Sequence, residues 1–149
     1  KKMRGFTLIE MMIIVVIVAI LAGIAMNSHQ SSVLKTKRKA ALSTLYTLVA
    51  EQEEYFVNNK GYATDLTDLG YSATGASGDP YYINDQGDSS NSSNGAYKIT
   101  FASATTNAFT LTATPINTQT KDTQCSALSI TSSGSKSVTG SISASDCFR

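Results

Sequence analysis

Glu10 is the residue whose position most needs a chemical reason, because it is the single acid inside the run Gly5 to Met26, GFTLIEMMIIVVIVAILAGIAM. A carboxylate in so apolar a stretch is costly unless a counter-charge or a polar surface meets it, so it marks a functional position. The next candidates are Cys125 and Cys147, near the C-terminus and far in sequence from the one histidine, His29. If the body lies outside the cytoplasm, these thiols form a disulfide, and for a ring of this size chain entropy gives about 3 kcal/mol. Two thiols and one imidazole fall short of the usual metal-ligand set, so no metal is expected. Asp65 and Asp68 sit among turn formers and read as turn residues. The glycines lack the spacing and lysine of a phosphate-cradling loop. Nothing assembles a nucleophile, a base and an orienting group, so the expectation is no enzyme and no cofactor.

The elements that must position these residues follow from periodicity. With 149 residues the chain has room for one modest domain beyond the apolar run, and its net charge of +1 argues against a general nucleic-acid binder. As a helix, Phe6 to Met26 covers roughly 30 Å, the thickness of a bilayer core. Lys1, Lys2 and Arg4 precede it like the basic end of a signal sequence, and Ala22, Gly23 and Ala25 mimic a cleavage site. The length of the run and the acid within it, Glu10, argue against an ordinary secretory signal. Lys35, Lys37, Arg38 and Lys39 follow the far end, so charge counting leaves orientation open. Leu34, Ala41, Leu45, Leu48, Val49, Tyr55 and Phe56 then recur at three- and four-residue steps, so the helix continues to Asn58 or Asn59, with Gly61 as the stop. The Lys35 to Lys39 run and the group Glu51, Glu53 and Glu54 read either as solvated faces or as pairs between staggered neighbours. His29 reads as a surface residue.

Beyond the helix, Thr64 or Asp65 can cap a short turn that places Leu66 and Leu69 inward. Ala73 to Gly95 reads as a long surface loop, its tyrosines packing back on the body. Alternation puts Tyr97, Ile99 and Phe101 on one face, and Phe109, Leu111 and Ala113 on one face, with a polar hairpin at Ser103 to Asn107. Further strands are expected at Ala127 to Thr131 and Lys136 to Thr139. The fold class is therefore α+β: one long helix whose downstream stripe packs on a small antiparallel sheet.

The residues Gly5, Phe6, Thr7, Leu8, Ile9 and Glu10, after a basic leader and before an apolar helix, resemble the signature of the type IV pilin family, type IVa. The block TLTATPINTQTKD before Cys125, and the aromatic after Cys147, resemble the C-terminal region of PilE-like minor pilins. The resemblance implies that a prepilin peptidase cuts between Gly5 and Phe6 and that Phe6 is N-methylated, residues 1–5 being the end of a leader with more upstream. It implies a transmembrane or filament-core half at 6–27. The amphipathic half and globular head then occupy 28–149, with a long loop at 58–96, a sheet at 97–139 and an exposed disulfide-bounded edge at 125–147. Glu10 would pair with the N-terminal amine of a neighbouring subunit. The family commonly has proline where this chain has Asn27, so local loosening of the helix between Gly23 and Asn27 is not enforced here.

The function so implied is a structural subunit of a type IV pilus, a minor one by the C-terminal likeness. It would be held in the inner membrane by a single pass with its head in the periplasm, then polymerised into an extracellular filament. Its partners would be other pilin subunits, the prepilin peptidase and the inner membrane. Adhesion, twitching motility and DNA uptake are family activities, and no host-surface or nucleic-acid contact is assigned to particular residues. Two alternatives stand beside it: a type II secretion pseudopilin, whose major forms more often carry a calcium-binding loop in place of the disulfide, and a membrane-anchored periplasmic binding domain that never polymerises and keeps an uncut N-terminus.

Overall fold

The computed structural model describes residues 6–71 and 80–149, with the side chains of 24–29 outside the description. The leader residues Lys1 to Gly5, the Ser72 to Asp79 part of the expected loop, and the side chains of Asn27 and His29 therefore lie outside the described residues. The chain divides into an upstream unit ending at Val33 and a downstream unit from Leu34 to Arg149.

One helix, α1 (Leu8–Asn59), carries the upstream unit from Leu8 onward and provides the first element of the downstream one. Its upstream residues are apolar all round and stay open: Leu8 is 78% exposed, Val15 64% and Leu21 61%. A surface of that kind in water is far larger than ordinary soluble proteins tolerate, so it calls for a covering. Among the described residues no helix carries an apolar stretch long enough to cross a membrane. The stretch expected to cross, Phe6 to Met26, includes side chains that are not described. The backbone is helical through Gly23 and Asn27.

Downstream, the sequence stripe does what its spacing predicts. Ala41, Leu42, Leu45 and Leu48 are buried in the main core with Tyr97, Ile99, Phe109, Leu111, Leu128 and Ile130. The stripe does not run as far as expected, because Phe56 is exposed and leaves the core to stack on Tyr62 at 4.7 Å, which in turn meets Phe109 edge-on at 4.9 Å. α1 stops at Asn59, where Lys60 takes a left-handed conformation (φ 57°) and its N–H returns to Phe56 O. A 3-10 turn, Leu66–Leu69, follows; Asp65 caps it by accepting from Thr67 N–H, and Leu66 is buried.

Among the described residues the sheet has five antiparallel strands in chain order: β1 (Tyr81–Ile83), β2 (Tyr97–Thr105), β3 (Ala108–Pro115), β4 (Leu128–Thr131) and β5 (Lys136–Val138). Two boundaries correct the sequence expectation. β1 lies inside the stretch taken as the loop 58–96, so the sheet begins at Tyr81 rather than at 97. Three residues after Pro80 are too short to show alternation, yet Ile83 is fully buried and pairs with Tyr97. β2 also continues through the expected hairpin at Ser103, because a register shift between Phe101 and Ser103 keeps pairing to Thr105↔Ala108. The turn is then Thr106 and Asn107 alone, with Thr105 Oγ1 accepting from the N–H groups of Asn107 and Ala108.

The expected strands at 127–131 and 136–139 are present as β4 and β5. β5 is an edge, and it is blunted by its own sequence: it is short, and Lys136, opposite buried Ile130, sets its ammonium over the rings of Tyr46 (5.2 Å) and Phe148 (5.5 Å). A short C-terminal helix, α2 (Ala144–Cys147), capped by Ser143, closes the chain.

Candidate functional site

The helix start comes first. Phe6 is 73% exposed. Thr7 and Glu10 cap α1 reciprocally: Glu10 N–H donates to Thr7 Oγ1 at 3.3 Å, and Thr7 N–H donates to Glu10 Oε2 at a long 3.5 Å. This is the S/T-x-x-E box, which satisfies two of the N–H groups that a helix leaves unpaired. The role of Thr7 escaped the sequence reading, although T-x-x-E before an apolar run was a legible signal. Gly5 lies outside the described residues.

The second site is a buried ionic node in the downstream unit. Arg38 Nε and Nη2 donate to the two carboxylate oxygens of Asp122 at 2.9 and 2.6 Å, and both side chains are at most 9% exposed. Around this fork, Gln119 Nε2 donates to Tyr97 Oη at 2.9 Å and to Leu34 O at 3.1 Å. Burial above all, with the Asp122 charge adding to it, pushes the Tyr97 phenol up to about 12; the Gln119 bond and the Arg38 charge work the other way. The node ties α1 to the 3-10 turn Asn117–Lys121 and so to the segment entering Cys125, whose N–H reaches Asp122 Oδ1 at 3.4 Å.

This geometry takes Lys37, Arg38, Glu51 and Glu53 out of the reading of the charged groups on α1 as either solvated faces or pairs between neighbours, and leaves Lys35, Lys39 and Glu54 exposed. Arg38 is consumed inside the fold, and Lys37 bonds Asp85 at 2.9 Å and donates to Thr118 Oγ1 at 3.3 Å. Glu51 accepts from Tyr71 Oη at 2.7 Å and Glu53 from Tyr62 Oη at 3.0 Å. Partial burial first, and the glutamate partner second, push both phenols upward. The partners Tyr62, Tyr71, Asp85, Thr118 and Asp122 lie on segments whose return to α1 no local pattern announces.

The third site is the edge closed by the disulfide. Cys125 and Cys147 are bonded, with Cα atoms 5.7 Å apart, and both are buried. The strand return after β5 passes so close to Cys125 that a Cβ on Gly140 would lie 2.1 Å from Gln124 O, so only glycine fits there. Gly140 N–H donates to Cys125 O at 3.0 Å. Among the described residues no group of His, Cys, Asp and Glu is arranged to hold a metal.

An exposed apolar helix that opens on a capped glutamate and continues into a disulfide-closed sheet is the layout of a pilin subunit. Comparison with known proteins agrees. Residues 1–26 match the prokaryotic N-terminal methylation motif, and residues 27–129 match the family described as type IV minor pilin ComP, DNA uptake sequence receptor. The chain belongs to this family of type IV pilins. It is 38% identical over 68 residues to the type IV major pilin protein PilA of Myxococcus xanthus, covering 46% of this chain and 31% of that one. It is 30% identical over 70 residues to type II secretion system core protein G of Dickeya chrysanthemi, covering 47% of this chain and 46% of the other. A probable minor fimbrial protein of Dichelobacter nodosus is 51% identical over 37 residues, covering 25% and 23%. The chain thus spans less than half the length of each of these relatives.

Proposed function

We propose that this chain is a minor subunit of a type IV pilus that supports DNA uptake. The observation that carries the reading is the match of residues 27–129 to the ComP family, whose description names a receptor for DNA uptake sequences. In this reading the chain waits in the inner membrane on its apolar helix with the head in the periplasm. A prepilin peptidase cuts between Gly5 and Phe6, and the new amine on Phe6 is methylated. Assembly exchanges lipid for helix packing in the filament, where the carboxylate of Glu10 meets the terminal amine of a neighbouring subunit. A charge pair of that kind costs far less to bury than a lone carboxylate.

The test has two parts. Mass spectrometry of the N-terminal peptide is expected to find methylated Phe6; an intact leader on the assembled chain overturns the reading. Cells lacking the chain are expected to keep their filaments and lose DNA uptake, whereas loss of all filaments marks a major subunit instead. Glu10→Gln keeps a side chain able to cap Thr7 and removes the charge, so it is expected to assemble as poorly as Glu10→Ala. Normal incorporation of either variant counts against the pairing. The relative among type II secretion core proteins favours a second reading, a pseudopilin; it predicts that deletion abolishes protein secretion and leaves DNA uptake intact.

A further inference from the structure

Between α1 and the segment that carries β1 lies an open cleft of about 360 Å³, wholly within the downstream unit. That volume is at the lower end of the range that small-molecule sites occupy. Its floor is one face of α1, where Ala40, Ser43, Thr44 and Thr47 follow at helical spacing. One wall is an aromatic corner, in which the half-buried rings of Tyr71 and Tyr81 meet edge to face at 5.0 Å. The other wall is the turn from Gln86 to Ser89. That turn is held in shape before anything binds. Asn84 Oδ1 accepts from the N–H groups of Gln86 and Asp88 at 2.9 and 3.0 Å, and Asp85 is tied to Lys37. Gly87, at φ 93°, lets the backbone ride directly on Ala40 and Thr44.

The chemistry of the walls narrows what fits. The side chains of Ser43, Thr47, Gln86 and Ser89 offer donors and acceptors that no other group uses among the described residues, and so does Tyr81 Oη. The carboxylate of Asp88 is likewise unpartnered among them. One helical turn beyond Thr47, Glu51 Oε1 holds Tyr71 Oη, while Glu51 Oε2 is buried and meets no donor. No Lys, Arg or His lines the cleft, so an anion would face like charge with nothing to offset it. A hydrocarbon would strip water from the hydroxyls and the amide and leave them without partners. We propose that this cleft binds a neutral saccharide, a mono- or disaccharide or the end of a longer glycan, with one ring face on the tyrosine corner and its hydroxyls bonded to Asp88, Gln86, Ser43 and Thr47. A sugar ring joins an apolar face to a rim of hydroxyls, and an aromatic wall beside convergent polar groups matches both. The proposal goes beyond the pilus-subunit reading and does not rest on it, and the same charge argument keeps nucleic acid out of this cleft.

The test uses the full chain in a detergent with no sugar headgroup, studied by saturation-transfer NMR and calorimetry. Glucose, galactose and N-acetylglucosamine are the neutral probes, glucuronate the acidic one and glucosamine the cationic one. At about 10 mM, at least one neutral sugar is expected to receive saturation, mostly through the protons of one ring face. Thr47→Trp fills the cleft from an exposed position and is expected to abolish that signal. Asp88→Asn, also exposed, removes the charge and is expected to weaken binding by about tenfold, the worth of one hydrogen bond to a charged acceptor. An unchanged melting temperature shows that each variant is folded; if Thr47→Trp melts lower, Gln86→Ala combined with Asp88→Ala takes its place. No signal from any neutral sugar, tighter binding of glucuronate or glucosamine, or a signal that survives the cleft variants overturns the proposal. None of these outcomes bears on the methylation of Phe6 or on incorporation into filaments, by which the pilus-subunit reading is judged.

Discussion

Replacing Asp122 by alanine gives the sharpest test of the buried node. The carboxylate is 2% exposed and faces the Arg38 fork at 2.9 and 2.6 Å, so the variant leaves a guanidinium buried without its counter-charge. Breaking a buried pair on one side costs about 3–5 kcal/mol. The lost contacts to Gln119 and to Cys125 N–H, both at 3.4 Å, are long and add little. At roughly 4 °C per kcal/mol for a domain of this size, the melting temperature is expected to fall by about 12–20 °C. The chain has no tryptophan and seven tyrosines, so near-ultraviolet circular dichroism of the detergent-solubilised protein is a suitable probe. Arg38→Met combined with Asp122→Leu removes both charges and is expected to recover at least half of the loss. A loss below about 1 kcal/mol for Asp122→Ala is the range of exposed pairs, and it would refute the claim that the node is shielded from solvent.

Three further outcomes follow from other contacts. The Tyr97 phenol is raised to about 12 in the folded chain, against about 10 when unfolded, so its contribution is fully present below pH 10 and is lost as pH rises toward 12. The loss by pH 12 is on the order of 3 kcal/mol, and stability measured by urea titration from pH 9 to 12 is expected to fall less steeply in Tyr97→Phe. Gln52 is fully buried and its amide both donates to Ala63 O at 2.9 Å and accepts from Ala63 N–H at 3.0 Å, so Gln52→Leu is expected to cost about 1–3 kcal/mol and to speed hydrogen exchange at Ala63. Gly140→Ala would drive a methyl into Gln124 O, so a loss of about 3 kcal/mol or more is expected, together with free thiol at Cys125 and Cys147 on titration.

What the sequence made legible was whatever repeats on a fixed period. Ala41, Leu45 and Leu48 announced the buried stripe of α1, and alternation from Tyr97 and Phe109 announced β2 and β3 with the correct inward faces. The short strand Tyr81–Ile83 stayed hidden because three residues carry no period, and its burial is decided by pairing with β2. The Asp122 partner of Arg38 stayed hidden for a related reason: 84 residues separate them, and nothing local at either position distinguishes a buried fork from a solvated charge. The Cys125–Cys147 bond was legible because two cysteines allow only one pairing within the chain. The T-x-x-E box around Glu10 was present in the letters and was passed over, since the apolar surroundings of the acid drew attention away from its spacing to Thr7.

That box changes how the acid in the apolar run is understood. A lone carboxylate there is unfavourable, and the need for a neighbour's amine would make the unassembled subunit a costly intermediate. Within one chain, however, Glu10 already sits in the first turn of α1, where the helix dipole favours negative charge, and it receives an N–H from Thr7. The bond is long, so it offsets only part of the cost and leaves the carboxylate able to accept a stronger, charged donor. On the pairing proposed above, local capping and the contact in the filament would be successive states of one side chain, the cap lowering the cost of the acid in the waiting subunit and leaving charge for the amine to meet. The same logic separates the two kinds of charge on α1. Arg38 is spent inside the fold, whereas Lys35, Lys39 and Glu54 are exposed and meet no partner among the described residues.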